Sequence, residues 1–581
     1  MAVQPTRSNG GGYFPAVLIV LIWWIMVLVG VVPIGHALIR VLLGREVSTT
    51  VDVPFVHVFF AGLFAATVWA MTWSLFASVG AVPYALWMAV AIALAYTGRT
   101  GLRSYLVARL SALRQLHYGA LAGVIALFVV ALIGSISPSE LYDEGGYFLP
   151  YIKWLEHHGA VRGIAHIDDR FGFNSAIHAT SALFSLWWSA GEGLYDLNGL
   201  VLIVVAAWFM GGASDMLRGR PLRLSAVLKV FSLFFLLRNM ITGPRSDLPA
   251  MLIAELALVL AAAKVESQGP PEDDLSFRLL VLYSVFLVGI KFTSVLIALV
   301  PLYFVYSMVR HRVRVPFITL TALTAVFLVP WMVMNVVVSG YLIYPLYRID
   351  VFQVDWKVPE PVARRQYFYV SEFAKSNASP ADSERLHGTR TLREWVPLWF
   401  ERENAVNRSV AVALLVCTIG LIPWTILRVR KYGDKDRDLI VFVSILIVND
   451  LVWFFRSPAF RFGWATIIGL IACAAFLFLH RWREGRVLRY AALAVLAATT
   501  LQSLTKSLLS AGSGLDDLLL WPAPTERVTY REVDLHGLLV READGFQCWG
   551  TAPPCFHHGF DRHITPRGDR VQDGFRWQES P

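Results

Sequence analysis

Charged residues are scarce in this chain. Asp, Glu, Lys and Arg make up 16% of its 581 residues, against 56% hydrophobic ones, and so little charge excludes an ordinary soluble domain, where about a quarter of the residues are charged. Cysteine is scarcer still, and four residues are too few for a disulfide framework to carry a fold. Internal repeats and long low-complexity tracts are missing, which removes solenoids and extended disordered linkers. After the first apolar run, residues 14–34, no small-residue cleavage site leads into a soluble domain, so that run is expected to be a retained span.

What the chain does contain is a succession of apolar runs, among them residues 14–34, 55–81, 248–263, 317–339 and 460–479. Each can cross a hydrocarbon layer of about 30 Å. The net charge of +9 falls in short clusters between these runs, as topology signals do, and no nucleic-acid partner is implied. The clusters are Arg99, Arg103, Arg109 and Arg114; Arg218, Arg220 and Arg223; Arg310, Arg312 and Arg314; Arg428, Arg430 and Lys431; and Arg481, Arg483, Arg486 and Arg489. With these anchors inside, five polar segments fall outside: residues 135–174, 243–247, 340–404, 455–461 and the tail from about 512. The loop over 264–278, with Gly269-Pro270-Pro271, reads as a plain connector.

The parity requires that residues 176–190 do not cross. They are expected along the interface, where the pair Trp187-Trp188 suits the headgroup region. Residues 279–306 are too long for one ordinary span and contain Lys291, so two short helices should meet there near the outer face, because an unpaired mid-membrane lysine is costly. The expected fold is an all-α polytopic membrane protein of about 14 transmembrane helices, with juxtamembrane outer loops and a small extracytoplasmic C-terminal tail. The N-terminus then lies outside, against the vote of Arg7. The divisions are N-terminal helices (1–134), a first outer loop (135–196), a transmembrane core (197–338), a second outer loop (339–406), C-terminal helices (407–511) and the tail (512–581).

Chemistry-bearing residues gather in the outer segments. Asp143-Glu144 at the exit of a span could hold a general base at the water–lipid boundary, able to take a proton from a water-soluble acceptor, and Asp168 follows in the same loop. His157, His158 and His166 accompany them. Arg245, Lys291, Arg456 and Arg461 fall at one depth, which suits an anion such as a phosphate or diphosphate headgroup. Taken singly, each of these cations is as well explained by snorkelling to lipid phosphate, and Arg245 and Asp247 could pair with each other. Tyr147, Arg170, Asn174, Asp247, Tyr344, Asp355, Trp356 and Lys357 are the candidate substrate-binding groups. Trp395 and Trp399 are further flat rings, equally compatible with sugar binding and with an interfacial aromatic belt. Cys548 and Cys555 are expected to form a disulfide across a Pro-containing turn, while Cys417 and Cys473 lie in apolar runs as packing residues.

Tyr142-Asp143-Glu144-x-x-Tyr147 after a span, followed by a juxtamembrane stretch ending in a helix, resembles the first outer loop of the GT-C class of integral membrane glycosyltransferases. The resemblance implies a GT-C-like fold, a polyprenyl-phosphate sugar donor and Asp143 as catalytic base, with Lys291 facing the active-site cavity. That class varies in metal dependence, so a divalent metal stays among the expectations; no nucleotide cofactor does. The combination of Asp143…Gly146-Tyr147, Arg170-Phe171-x-Phe173-Asn174-Ser175, Ser246-Asp247-Leu248-Pro249, Tyr344-Pro345, Asp355-Trp356-Lys357-Val358-Pro359, Arg461-Phe462-Gly463 and the Cys-Trp…Pro-Cys tail is similar to an uncharacterised family of bacterial multi-spanning proteins. The expected function is sugar transfer from a lipid-linked donor to an extracytoplasmic glycan, lipid or protein acceptor. The expected location is a bacterial cytoplasmic (inner) membrane, multi-pass, with membrane lipid as a partner and the active face periplasmic. A transporter, flippase or polymerase for lipid-linked saccharides is the alternative, for which Arg238, Asn239 and Asn449-Asp450 would speak.

Overall fold

The computed structural model describes residues 16–44, 52–137, 141–238, 243–267, 275–432, 436–479, 485–512, 528–560 and 563–578. Arg7, Asn239, Arg481, Arg483 and the centre of the 264–278 connector lie outside them, as does the side chain of Arg238. The chain is a polytopic helical membrane protein. Helices α1 (Ala16–Leu43), α2 (Phe55–Ser74), α3 (Ala81–Thr97), α4 (Arg99–Arg114) and α5 (Tyr118–Ile136) precede a loop region that holds α6 (Leu149–His158), α7 (Ile177–Phe184) and α8 (Trp187–Ala190). Then follow α9 (Leu197–Leu217), α10 (Leu224–Arg238), α11 (Asp247–Ser267), α12 (Leu275–Ile290), α13 (Leu299–Arg310) and α14 (Phe317–Ser339). A second loop region carries α15 (Glu360–Ser376), α16 (Pro380–Leu386) and α17 (Leu392–Arg402) before α18 (Ala405–Tyr432), α19 (Arg437–Arg456), α20 (Phe460–Leu479) and α21 (Arg486–Gly512).

Among the described residues, 11 helices are long and apolar enough to cross a membrane. The bent pair α3–α4, with an angle of 88° at Gly98, makes a twelfth if it counts as one span, and Leu224–Phe234 and Leu275–Ile290 are apolar but shorter. An expectation of about 14 therefore needs α3, α10 and α12 all to cross. Helix α4 explains the first basic cluster: Arg99, Arg103, Arg109 and Arg114 ride on a helix turned sharply off the preceding span.

Burial sorts the helices into layers. Nearly every side chain of α11 is buried, and it packs among α10, α12 and α20. By contrast α18 exposes Val412, Leu415, Val416 and Ile419, an apolar face of the kind lipid covers. Close approach at the α1–α2 contact depends on two glycines. A Cβ on Gly35 would lie 1.9 Å from the Val58 carbonyl oxygen, and one on Gly62 would lie 2.1 Å from that of Val31. Small residues that let backbones touch are the usual device for helix association where no hydrophobic force separates protein from lipid.

Two local expectations meet the structure differently. The break at Lys291 is present: α12 ends at Ile290, Lys291 is extended, and a 3-10 turn Phe292–Ala298 leads into α13. Residues 176–190 do not form a span, as the parity requires. All eight residues of α7 are buried against α2 and α6, and the segment reaches the surface from Leu186 on, where Trp188 and Ser189 are exposed. Eight residues are too few to cross, and an apolar segment that short gains more from the protein core than from the headgroup layer.

The tail is not helical. Strands β1 (Tyr530–Leu535) and β2 (Leu538–Ala543) form a hairpin through His536 and Gly537, both at positive φ, a two-residue turn whose twist matches that of the strands. Strand β3 (Cys555–Phe556) adds parallel to β2, and β4 (Ile564–Pro566) pairs with β5 (Phe575–Trp577). Cys548 and Cys555 are disulfide-bonded; Cys417 and Cys473 are free, in the helices as expected.

Replacing Gly62 by Leu should separate α1 from α2 and cost about 1–3 kcal/mol or more. Heat-induced aggregation of the detergent-purified protein should begin at a lower temperature in Gly62→Leu. It should be unchanged in Gly211→Ala, where a Cβ meets nothing within 4 Å.

Candidate functional site

The loop regions, the Lys291 break, the start of α20 and the tail converge on one end of the bundle. The first loop enters through one wide π-helical turn, Glu144–Phe148, which runs directly into α6. Such turns recur at functional sites because they redirect side chains without ending the helix. Its glycines are required by neighbours. A Cβ on Gly145 would lie 2.2 Å from the Trp549 ring, and one on Gly146 would lie 3.4 Å from the Arg170 guanidinium.

Asp143 opens this turn, and its Oδ2 accepts from Nη1 of Arg461 at 3.0 Å. Lys291 ion-pairs with Asp247, and its ammonium lies 4.1 Å from the centre of the Phe462 ring, with Arg461 5.2 Å from the same ring. Asp247 is thus taken by Lys291 and does not neutralise Arg245. Arg245 is 9% exposed, and its Nε and Nη2 have no hydrogen-bond partner among the described residues. Burial lowers its pKa to about 10, opposed by the nearby carboxylates of Glu144 and Asp143. Its backbone is fixed from below: Asn198 Nδ2 donates to the Arg245 carbonyl at 2.9 Å and to that of Gly243, while Asp196 accepts from the Gly243 amide at 2.8 Å. Glu144 is buried beside Gly243, where a Cβ would lie 2.6 Å from its Oε2. Three of the four expected cations are therefore assembled around Asp143. Arg456 is not among them; it is exposed beside the exposed Phe455, a placement suited to lipid headgroups.

The rest of the first loop divides into a scaffold and an open group. Asp168 receives Nε and Nη2 of Arg170 at 2.9 and 2.7 Å and the Arg170 amide at 2.9 Å. Burial works against the Asp168 carboxylate, but Arg170 outweighs it and holds its pKa below the usual value. Asp168 is thus committed to orienting Arg170, whose guanidinium lies 4.7 Å from the Tyr147 ring centre. Asn174 is structural rather than open to a substrate. At φ 42°, a conformation Asn tolerates, it is 2% exposed and bonded to Tyr151, Asn335 and Trp331. Asp169, next to Asp168, makes no ion pair or hydrogen bond among the described residues. Burial and the Asp168 charge raise its pKa to about 6, against Arg170, Arg365 and His557.

The second loop mostly seats the tail. Asp355 takes Nε and Nη2 of Arg567 at 2.7 and 2.9 Å, and Arg567 lies 4.9 Å from the Trp356 ring centre. Trp356 donates to the Val336 carbonyl, and Lys357 pairs with Asp350. Asp355 and Trp356 are thus engaged with the tail, and Lys357 is held within its own loop, so the polar groups of all three already have protein partners. Trp395 and Trp399 are buried against Phe454 and Phe460, which excludes them as an exposed sugar platform. Likewise His157 packs on Trp187, and His166 contacts the Trp356 carbonyl. No group of three or more His, Cys, Asp or Glu able to hold a metal occurs among the described residues.

The tail closes over the first loop. The amides of Cys548 and Trp549 both donate to the Gly145 carbonyl, at 3.1 and 2.9 Å, and Gln547 Nε2 donates to the Tyr142 carbonyl at 2.9 Å. Sequence reasoning missed Asp169, masked by its twin Asp168, and Glu255, a lone acid inside the apolar run of α11. Glu255 is 1% exposed and Asp450 4%; their carboxyl oxygens meet no hydrogen-bond partner, with Ser232 and Thr466 beside them.

A family model described as a domain of unknown function (DUF8201) matches residues 17–468. No curated protein matches the chain, and no solved structure does. The tail lies beyond the matched residues.

Trp549→Ala and Gly145→Val should each loosen the tail from the first loop. Limited trypsin digestion in detergent should cut after Arg531 and Arg541 several-fold faster in both variants than in the native protein. Equal rates would mean that the Gly145 contact does not hold the tail.

Proposed function

Starting from a chain that belongs to the DUF8201 family, whose description assigns no activity, we propose a membrane glycosyltransferase. It moves a sugar from a polyprenyl-phosphate donor to an extracytoplasmic acceptor of the bacterial cell envelope. The observation that carries the reading is the meeting of Asp143 with Arg461, Lys291 and the unpartnered Arg245 at the loop end of the spans. The GT-C-like first loop supports it.

In this reading the donor phosphate takes the open Nε and Nη2 of Arg245 and competes with Asp143 for Arg461. Asp143, so released, removes the proton from an acceptor hydroxyl. The hydroxyl oxygen attacks the anomeric carbon while the bond from that carbon to the phosphate oxygen breaks, and the electron pair leaves with the phosphate. Negative charge grows there, so fixed cations stabilise the transition state more than the ground state. Burial makes Arg245 and Lys291 effective, because few waters compete with them for the anion, while Arg461 acts from a more exposed position.

One observation favours a second reading. Glu255 and Asp450 are buried carboxyls within spans, which mark ion or proton paths in transporters. A flippase for a lipid-linked saccharide would use the same cations for binding without breaking a bond.

Membranes containing the native chain should transfer radiolabelled sugar from a polyprenyl-phosphate donor pool. Asp143→Asn should lower the rate about 10²-fold or more, and Arg245→Gln should weaken donor binding. Undiminished transfer by Asp143→Asn sinks the assignment, whereas donor binding without transfer by either chain moves the flippase ahead. The side is tested separately: in intact cells a membrane-impermeant maleimide should label Cys548 and Cys555 only after reduction, and labelling only after the cells are opened would put this face in the cytoplasm.

A further inference from the structure

Beyond the cation cluster, the polar groups continue along the loop end toward α15 and the tail. Tyr369 of α15 is in electrostatic reach of Arg170, Asp143 and Asp169. Around Asp169 stand Arg365 from α15, His557 from the tail and Tyr344 from the second loop. Tyr344 is 5% exposed, its ring packs where a side chain on Gly172 would be, and its hydroxyl has no hydrogen-bond partner among the described residues. Asp169 and Arg365 do not pair with each other or with any other described group. A half-buried acceptor, an exposed guanidinium and a buried phenol are thus left open within electrostatic reach of Asp169. The half-buried rings of Tyr347, Tyr367 and Phe368 pack against one another beside this cluster.

We infer that this cluster is the acceptor subsite and takes a carbohydrate, whose hydroxyls donate to Asp169 and accept from Tyr344 and Arg365, with one further hydroxyl left to reach Asp143. The identification of the bound molecule as an acceptor rests on the transferase reading; the saccharide binding does not. A carboxylate can accept from two adjacent hydroxyls, and a phenol and a guanidinium donate to others. An anionic ligand fits less well, because Asp168 and Asp169 face the same space. Buried polar groups left open reject a ligand that cannot complete them, so the subsite selects for hydroxyl pattern. A carboxyl accepts from two hydroxyls at once, and most strongly, when it is ionised. Asp169, raised to about 6 by burial and by Asp168, gains that form as pH rises through this value, with Asp168, Arg170, Arg365, His557 and Tyr344 as the groups facing it.

The test uses the full chain in nanodiscs and p-nitrophenyl glycosides of glucose, galactose, mannose, N-acetylglucosamine and arabinose, with binding read by saturation-transfer NMR. At least one glycoside should bind the native chain. Asp169→Asn and Tyr344→Phe should bind it about tenfold more weakly or worse, and Asp534→Asn in the tail hairpin should bind it as the native chain does. Binding should strengthen from about pH 5 to about pH 7 in the native chain and stay flat in Asp169→Asn. In the transfer assay Asp169→Asn should raise the acceptor KM and leave the donor KM unchanged. No binding by any glycoside, or equal binding by Asp169→Asn and Tyr344→Phe, overturns the subsite even where Asp143→Asn abolishes transfer. Glycoside binding lost in those two variants, with no transfer by the native chain, sustains the subsite and overturns the transferase reading alone.

Discussion

A charge at the edge of a hydrocarbon layer must be paired, solvated or neutralised, and the organisation of this protein's loop end follows from how its charges satisfy that demand. Lys291 enters the bundle because α12 stops one residue before it, and Asp247 at the start of α11 meets it there. Arg461 at the start of α20 meets Asp143 across the chain. With Asp247 and Asp143 occupied, Arg245 is left buried with Nε and Nη2 open among the described residues, its charge offset through space chiefly by Glu144 and Asp143. An unsatisfied buried guanidinium costs stability. Its retention, with its backbone pinned by Asn198 and its neighbour Gly243 by Asp196, is what an anion site requires before the anion arrives.

How much of this was legible in the sequence differed by the physics involved. The break at Lys291 was readable because a lysine in a run too long for one span has few affordable placements. The Cys548–Cys555 pairing and the gathering of polar segments at one end were also readable, since positive-inside threading assigns each loop a side. What failed were distinctions between neighbours of the same type. Arg456 and Arg461 are equivalent by composition and depth and both are exposed, yet Arg461, at the start of α20, is the one that reaches Asp143, while Arg456 ends α19 beside the exposed Phe455. Asp168 and Asp169 differ only in which one receives the Arg170 fork. No sequence pattern encodes that choice. Asp355, Trp356 and Lys357 have the composition of a binding site, and only the folded positions reveal that the first two bind Arg567 of the tail while Lys357 pairs with Asp350.

That tail is the part of the molecule least expected from its helical context. The matched family region ends at residue 468, yet the carbonyl of Gly145, two residues from Asp143, is satisfied by the amides of Cys548 and Trp549. A wide helical turn leaves its carbonyls unevenly paired, and a donor pair from outside fixes the turn in one shape. The absent side chain at Gly145 and the indole of Trp549 occupy the same space, so each residue explains the other. The disulfide-closed segment therefore belongs with the first loop, and through His557 it reaches the surroundings of Asp169.

The buried carboxyls Glu255 and Asp450 bear on the choice between bond-breaking and passage. A saccharide passing through the bundle needs polar groups along its route, and transporters commonly supply them by breaking two helices in related positions. Among the described spans one such extended break is present, at Lys291, and its lysine is drawn to Asp247 and the loop-end cluster rather than toward Glu255 or Asp450. Those two acids stand on different helices, α11 and α19, and neither is an electrostatic neighbour of the other. Isolated acids can each accept a proton, but they do not form a continuous polar lining. The groups that are electrostatic neighbours of one another lie instead among the loops, from Arg245 through Asp143 and Tyr369 to Asp169 and Tyr344. The proposed transfer needs such a grouping, because donor and acceptor must be held next to each other.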